Sequence, residues 1–282
     1  MKLLTTFYKQ DNLPHLLTYA DGIIVGINGF STRETSYVTL EELIEIAKLT
    51  DSLNKELYIS LKPFIQTQKD ALMTLFELIK DLPITGLIVG DIGYYSLLKG
   101  YNFNIIYNPE TLLTNTYDIN LLKDYDIKGA VLSKEITLTD IKAIIKAKQI
   151  PLYMVVHGYL NMFYSRRKLL KSYFETIGLT HEYHHDKMRI KEEKREGLHP
   201  ILEDMYGTHV YRSEVTSMSA YLAELNGLDY MIIDGIFHDD HYILDMLKLF
   251  KNPSQTLRVS LQEKYNETWD DGFLFKETIY KR

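Results

Sequence analysis

Cysteine is absent from the 282-residue chain. That removes disulfides, thiol nucleophiles, thiolate zinc sites and any iron–sulfur cluster held by the chain's own ligands. An excess of positive charge is absent too: 32 Lys and Arg stand against 38 Asp and Glu, for a net charge of −6. Such a chain has no uniformly basic coat, so RNA binding has to come from a local patch. No apolar run approaches the roughly 20 residues of a membrane helix, and the N-terminal MKLLTTFYKQDNLPHLL reaches charged and polar residues too soon for a signal peptide. Low-complexity tracts are missing, and so is a G-x-G-x-x-G after the first strand, which argues against a dinucleotide-binding domain. These exclusions predict a soluble, cytoplasmic globular protein, and a hydrophobic fraction of 45% supplies its core.

What is present is an alternation of short apolar runs with longer amphipathic ones. The runs predict strands near 2–8, 22–29, 56–65, 86–91, 103–108, 128–133, 150–157 and 229–235. Most are β-branched and apolar on both faces (IIVGI, LIVGD, AVLS, YMIID), as in a parallel sheet covered by helices. Helical patterns fill the gaps: 40–54 capped by Thr39 with Glu42 completing a capping box, 68–82, 138–148 capped by Thr137 or Thr139, and 238–250. Eight strand–helix units in about 250 residues predict a (β/α)8 barrel, with an open α/β sheet as the alternative. Residues 161–206, rich in charge and aromatics, read as an insertion after the seventh strand, and 251–282 as an extension beyond a barrel domain of 1–250.

Barrel enzymes draw catalytic groups from the carboxyl ends of strands. Those ends offer Asn28 with nearby Arg33, then Lys62, Asp91, Asn108, Ser133 with Glu135, His157 and Asp234. The mixture of acids, bases and amides suits a small anion or a nucleobase. Simpler roles exist: Asp91 as a helix cap, Asp234-Gly235 as a turn. His157 ends the apolar run YMVV and precedes Gly158. That placement predicts an imidazole at the site opening beside Asp91, Glu135 and Asp234, a group suited to proton exchange near neutral pH. Its alternative is a buried histidine that holds the turn. The insertion contains a literal H-E-x-x-H at His181, Glu182 and His185, but Gly178 precedes it, a charge run follows, and Met188 takes the glycine place of the longer zinc motif. It reads as a solvated turn without metal. The same insertion gathers Arg166, Arg167, Lys168, Lys171, Lys187, Arg189, Lys191, Lys194 and Arg195, interleaved with Tyr164, Tyr173, Phe174 and Tyr183. This pattern fits phosphate contacts and base stacking, or else a solvated helix of i,i+4 ion pairs.

At VVHGYLNMFYSRRKLL the sequence resembles the signature of peptidase family U32. Further matches follow in order: Asp21-Gly22 with VGING and Arg33, VGDIG at 89–93, Asn115, Leu132-Ser133-Lys134-Glu135, Tyr206-Gly207-Thr208-His209 and Ile233-Asp234-Gly235. Asn161 and Lys168 stand where the family usually has cysteines linked to an iron–sulfur cluster, Tyr153 where a glutamate is common and Ile236 where an arginine is frequent. The chain is most similar to a short branch without those cysteines. The resemblance implies a barrel and a role in RNA modification, including prephenate-dependent 5-hydroxylation of the tRNA wobble uridine. It also implies tRNA and a cysteine-bearing paralogue as partners, a prephenate-like acid as donor and no membrane attachment. Taken with the strand ends, the candidate site has His157, Asp91, Glu135 and Asp234 as catalytic groups. Substrate contacts fall to Asn28, Arg33, Lys62, Asn115, Arg166, Arg167, Lys168, Tyr206 and His209. Proteolysis, as the family name suggests, and a non-catalytic scaffolding role are the alternatives.

Overall fold

A computed structural model describes residues 1–179, 188–194 and 196–276. The first two strands, β1 (Lys2–Thr5) and β2 (Gly22–Ile27), are followed by a two-residue strand β3 (Tyr37–Val38) on the flank of β2. Then come β4 (Glu56–Leu61), β5 (Gly86–Val89), β6 (Ile105–Tyr107), β7 (Gly129–Val131) and β8 (Leu152–Ser165). The last barrel strand, β12 (Tyr230–Ile233), pairs in parallel with both β1 and β8, so eight parallel strands close on themselves. Helices α1 (Leu13–Leu16), α2 (Leu40–Ser52), α3 (Lys69–Ile79), α4 (Gly93–Leu98), α5 (Thr116–Leu121) and α6 (Leu138–Ala147) follow the first six barrel strands, and α8 (Asp240–Lys251) follows β12. The architecture is a (β/α)8 TIM barrel. All eight strands read from the apolar runs are present, and the open-sheet alternative falls with the closure of β12 on β1.

Local chemistry sets the helices. Thr39 and Glu42 form the full capping box, with Glu42 N–H donating to Thr39 Oγ1 at 3.2 Å and Thr39 N–H to Glu42 Oε2 at 2.7 Å. Thr137, not Thr139, caps α6. Both faces of the strands are buried because two layers form. Leu4, Ile24, Ile88, Ile106, Val131 and Ile232 fill the barrel with Tyr58 and Tyr153. Leu3, Ile23, Leu57, Leu87, Leu152 and Met231 meet the helices outside. Tyr153, at the position where the family favours a carboxylate, stacks on Tyr230 at 4.1 Å, while the Tyr58 hydroxyl donates to Glu56 at 3.0 Å.

After the seventh barrel strand the pattern changes. The expected end of β8 at 157 is overturned: the strand runs on to Ser165 as one edge of an antiparallel ribbon. Its partners are β11 (Gly207–Ser217), then β10 (Leu198–Asp204) and β9 (Arg189–Lys191). Two features permit this. Ile232 pairs with Val155 but Ile233 with His157, so β8 carries a one-residue bulge at Val156. Gly158 has φ +136°, and a Cβ there would lie 2.6 Å from the Asp234 carbonyl oxygen. Helix α7 (Leu169–Thr176) lies on the ribbon and buries none of its residues, and Lys171 pairs with Glu175 at 3.8 Å. The i,i+4 reading of this segment therefore holds on α7. The motif His181, Glu182 and His185 lies outside the described residues, as do Lys187 and Arg195.

The C-terminal segment supplies α9 (Gln255–Tyr265) and β13 (Trp269–Asp270), which adds in parallel to β11. Trp269 is buried edge-on to His157 at 5.0 Å, and its indole N–H donates to Glu267 at 2.8 Å. Glu267 also accepts from the Tyr242 hydroxyl at 2.8 Å and pairs with His238 at 2.5 Å. This network ties the tail to α8 and to the bulged strand. Trp269→Ala is expected to lower stability by about 3–5 kcal/mol, because it leaves a large cavity and removes a donor from a buried carboxylate. Denaturant unfolding followed by circular dichroism checks this; a loss within ~0.5 kcal/mol would contradict the anchoring role.

Candidate functional site

The carboxyl ends of the barrel strands open into a cleft. A deep part of about 80 Å³ reaches down to Val131, Met154 and Val155. A wider mouth of about 280 Å³ adds Asp91, Thr111, Glu135, Met162 and Tyr164. Arg33, Lys62, Asn108, Glu110, Lys134 and Asn161 line both parts. They come from five different strand ends, which is the way this fold builds a site.

Charge organises the cleft around Glu110. Its carboxylate bonds the Arg33 guanidinium, pairs with Lys134 Nζ at 3.2 Å and lies 4.0 Å from Lys62 Nζ. Burial would raise this carboxyl, but Arg33, Lys62 and Lys134 together outweigh it and hold the group at about 2. Burial lowers the Lys134 ammonium, helped by Arg33 and Lys62 and opposed by Glu110. Lys62 is the least engaged of the three cations: its nearest carboxylate oxygens are Glu34 at 3.5 Å and Glu110 at 4.0 Å, against about 2.8 Å for a charge-assisted hydrogen bond. Arg33 and Glu110 both have left-handed backbones, φ +60° and +64°. Such strain costs roughly 1–3 kcal/mol per residue and persists where the surroundings enforce it. Asp234, on the deep wall, is pushed up to about 6, first by burial and then by Glu34. It receives the Ile236 N–H at 3.1 Å, so it makes the Asp-Gly turn as well as facing the cleft.

The other sequence-derived candidates divide into groups. Asp91 lines the mouth and accepts the Phe64 N–H at 2.7 Å, which ties the loop after β4 to that after β5; α4 begins without a side-chain cap. Glu135 lines the mouth and is exposed. Asn28 is exposed and opens onto a neighbouring hollow with Tyr37 and Asp204. Asn115 lines neither part of the cleft: it caps α5, accepting the Asp118 N–H at 3.0 Å. Tyr206 donates its hydroxyl to the Gly29 carbonyl and so closes the β10–β11 turn onto the β2 loop. His209 is fully buried, 3.2 Å from Thr32 Oγ1 and 3.4 Å from Asp204 Oδ1, and stacks beneath Tyr164 at 4.9 Å. Arg166, Arg167 and Lys168 are exposed where β8 turns into α7, next to the mouth-lining Tyr164.

His157 is not at the opening. It is fully buried outside the barrel wall, with Nε2 2.8 Å from the Tyr242 hydroxyl and with Phe250 and Trp269 against its ring. Burial lowers its pKa to about 3. The reason is the bulge at Val156. Simple alternation puts 157 on the inward face with Tyr153 and Val155, and one extra residue turns it outward. This is the buried alternative, with the Tyr242 hydroxyl as the ring's partner.

Glu110 and Lys134 were not picked out by reading strand ends. Lys134 stands between the two polar residues chosen from Leu132-Ser133-Lys134-Glu135, and Glu110 lies two residues past Asn108. Strict alternation from the inward Ile106 points to Asn108 and Glu110, whereas from the inward Val131 it points to Ser133 and Glu135 and passes over Lys134. The family's cluster also meets an answer here. At its two cysteine places stand Asn161, whose amide donates to the Phe163 and Val210 carbonyls at 3.0 and 3.2 Å, and the exposed Lys168. Neither fits a thiolate-held iron–sulfur cluster.

Replacing Glu110 by Gln is expected to destabilise the chain at pH 7 by about 3 kcal/mol, since three cations lose their shared anion. The sign of the pH dependence follows from the depressed carboxyl. Its stabilisation is present above its ordinary value of 4.5 and is lost as pH falls through about 2. The gap between wild type and Glu110→Gln should therefore close over that window in urea titrations. A gap constant from pH 7 to 2 would count against the cluster.

Three comparisons bear on identity. The family model for peptidase family U32 matches residues 13–278. Over 304 aligned positions, 99% of this chain and 98% of the relative, the chain is 23% identical to tRNA hydroxylation protein P2 of Bacillus subtilis. It is 22% identical over 92% of its length to an uncharacterized protease of Methanocaldococcus jannaschii, of which 69% is covered. A solved U32 peptidase structure superposes with a TM-score of 0.53 at 14% identity, covering 83% of this chain and 93% of that one, which supports the shared fold. With a family model spanning nearly its whole length, the chain belongs to peptidase family U32.

Proposed function

We propose that this chain is a cytoplasmic component of tRNA wobble-uridine 5-hydroxylation that acts with a cysteine-bearing paralogue. The observation that carries the reading is the likeness, end to end in both chains, to the Bacillus relative named for tRNA hydroxylation. The cleft supports a small acid donor of the prephenate kind: Arg33 and Lys62 supply a fork and an underused ammonium to a carboxylate. Tyr164 lines the mouth, the exposed Arg166, Arg167 and Lys168 follow it along the ribbon, and together they suit a stacked base and its phosphates. An amide and an ammonium at the two cysteine places support leaving any cluster chemistry to the paralogue.

Deleting the gene should remove 5-hydroxyuridine and its derivatives from tRNA, read by nucleoside mass spectrometry. Complementation with Lys62→Gln should restore little of it. Full modification in the deletion strain would overturn the reading, and cleavage of a peptide substrate by the purified chain would favour proteolysis. Charge reversal at Arg166 and Arg167 should weaken tRNA binding irrespective of sequence. It should also flatten the log–log salt slope by about 0.9 for each phosphate that is no longer neutralised. Unchanged affinity and slope would remove the ribbon from RNA binding.

A further inference from the structure

We infer that Lys134 is a nucleophilic amine that condenses with the carbonyl of an α-oxo carboxylic acid held on Arg33 and Lys62. The inference rests on the small-acid part of the reading above and adds a covalent step at a named atom. Three observations converge. Lys134 lines both parts of the cleft, with its side chain only 13% exposed. Two further cations line the same space, and among the described residues Lys62 has no carboxylate oxygen closer than 3.5 Å. An α-oxo acid presents a carboxylate one bond from an electrophilic carbonyl, so anchoring the first on Arg33 and Lys62 brings the second towards a neighbouring amine. Glu110, 3.2 Å from Nζ, orients that amine while bonding Arg33.

The amine must be neutral to attack, and burial with two neighbouring cations favours that form. The balance is simple. The nitrogen lone pair forms a bond to the carbonyl carbon, the C=O π pair moves to oxygen, and that oxygen takes a proton. The nitrogen sheds one proton to give the carbinolamine, whose hydroxyl then takes a second proton; the C–O bond breaks, water leaves as C=N forms, and the nitrogen sheds its second proton. One amine and one oxo acid yield one imine and one water, with no oxidant or reductant. Asp234 lies on the wall of the same cleft with its carboxyl raised by burial, which makes it the cleft's candidate carrier for these protons.

The test uses the full chain with pyruvate as probe and sodium borohydride as trap, read by intact mass and peptide mapping. The expected result is a single reduced adduct on Lys134 that is absent without pyruvate. Lys134→Arg should abolish it, and Lys62→Gln should raise the half-saturating pyruvate about tenfold, as removal of one charge-assisted hydrogen bond requires. Mapping on the unaltered chain needs no variant to fold. No adduct at Lys134, or labelling spread evenly over surface lysines, overturns the inference. An adduct at Lys134 in a chain whose deletion leaves tRNA modified would overturn the functional reading and keep this one. Lost modification with no adduct would do the reverse.

Discussion

The structure turns on one strand that serves two sheets. Up to Val155, β8 is the seventh stave of a parallel barrel; beyond Gly158 it is an antiparallel ribbon edge. Continuing one strand through that change requires a local break in pairing. The bulge at Val156 and the left-handed glycine provide it, with the Asp234 carbonyl too near position 158 for any side chain. The same break settles side-chain direction on both sides. His157 turns outward into the packing of α8 and Trp269, and Asn161 arrives at the cleft. The ribbon thereby becomes a wall of the site, and α7, with no buried residue, is carried at its far end.

Two buried clusters hold that arrangement from opposite sides. Outside the barrel, Glu267 gathers the Tyr242 hydroxyl, the Trp269 indole and His238, so the tail reinforces the point where the strand leaves the barrel. At the ribbon turn, Asp204 accepts from Thr32 and from the Tyr206 backbone at 2.8 Å and lies against His209. Burial raises this carboxyl, but its bonds from His209 and Thr32 outweigh that and hold it at about 2. Each cluster joins segments far apart in sequence, and each carboxylate is stabilised by donors that arrive only on folding.

Between them, the cleft keeps its charges in deliberate imbalance. Glu110 is shared by Arg33, Lys62 and Lys134, which leaves Lys62 short of a close partner and Lys134 with a weakened hold on its proton. Arg33 and Glu110, the two ends of one ion pair, both have strained backbone. Loops after β2 and β6 are thus drawn across the mouth, where a competing carboxylate would meet the same cations.

Much of this was legible in residue order. Strands apolar on both faces marked a parallel sheet covered by helices, because only two-sided burial accounts for runs such as IIVGI and LIVGD, and the closure of β12 on β1 made it a barrel. Thr39 with Glu42 and Thr137 marked helix starts through purely local bonds. Arg33, Lys62, Asp91, Glu135 and Asp234 were recognisable as cleft residues at or near strand ends. The misplaced residues have separate causes. His157 faces away because a one-residue bulge reverses the period-two alternation, and nothing in YMVVHG announces an extra residue. Asn115, Tyr206 and His209 spend their polar atoms on caps and cross-loop bonds to partners remote in sequence. Glu110 and Lys134 acquire their character only from each other and from Arg33, when three loops converge. Sequence determined which elements form, since that depends on periodicity and local caps; tertiary structure decided which polar groups meet, since charge and desolvation depend on distance across the fold.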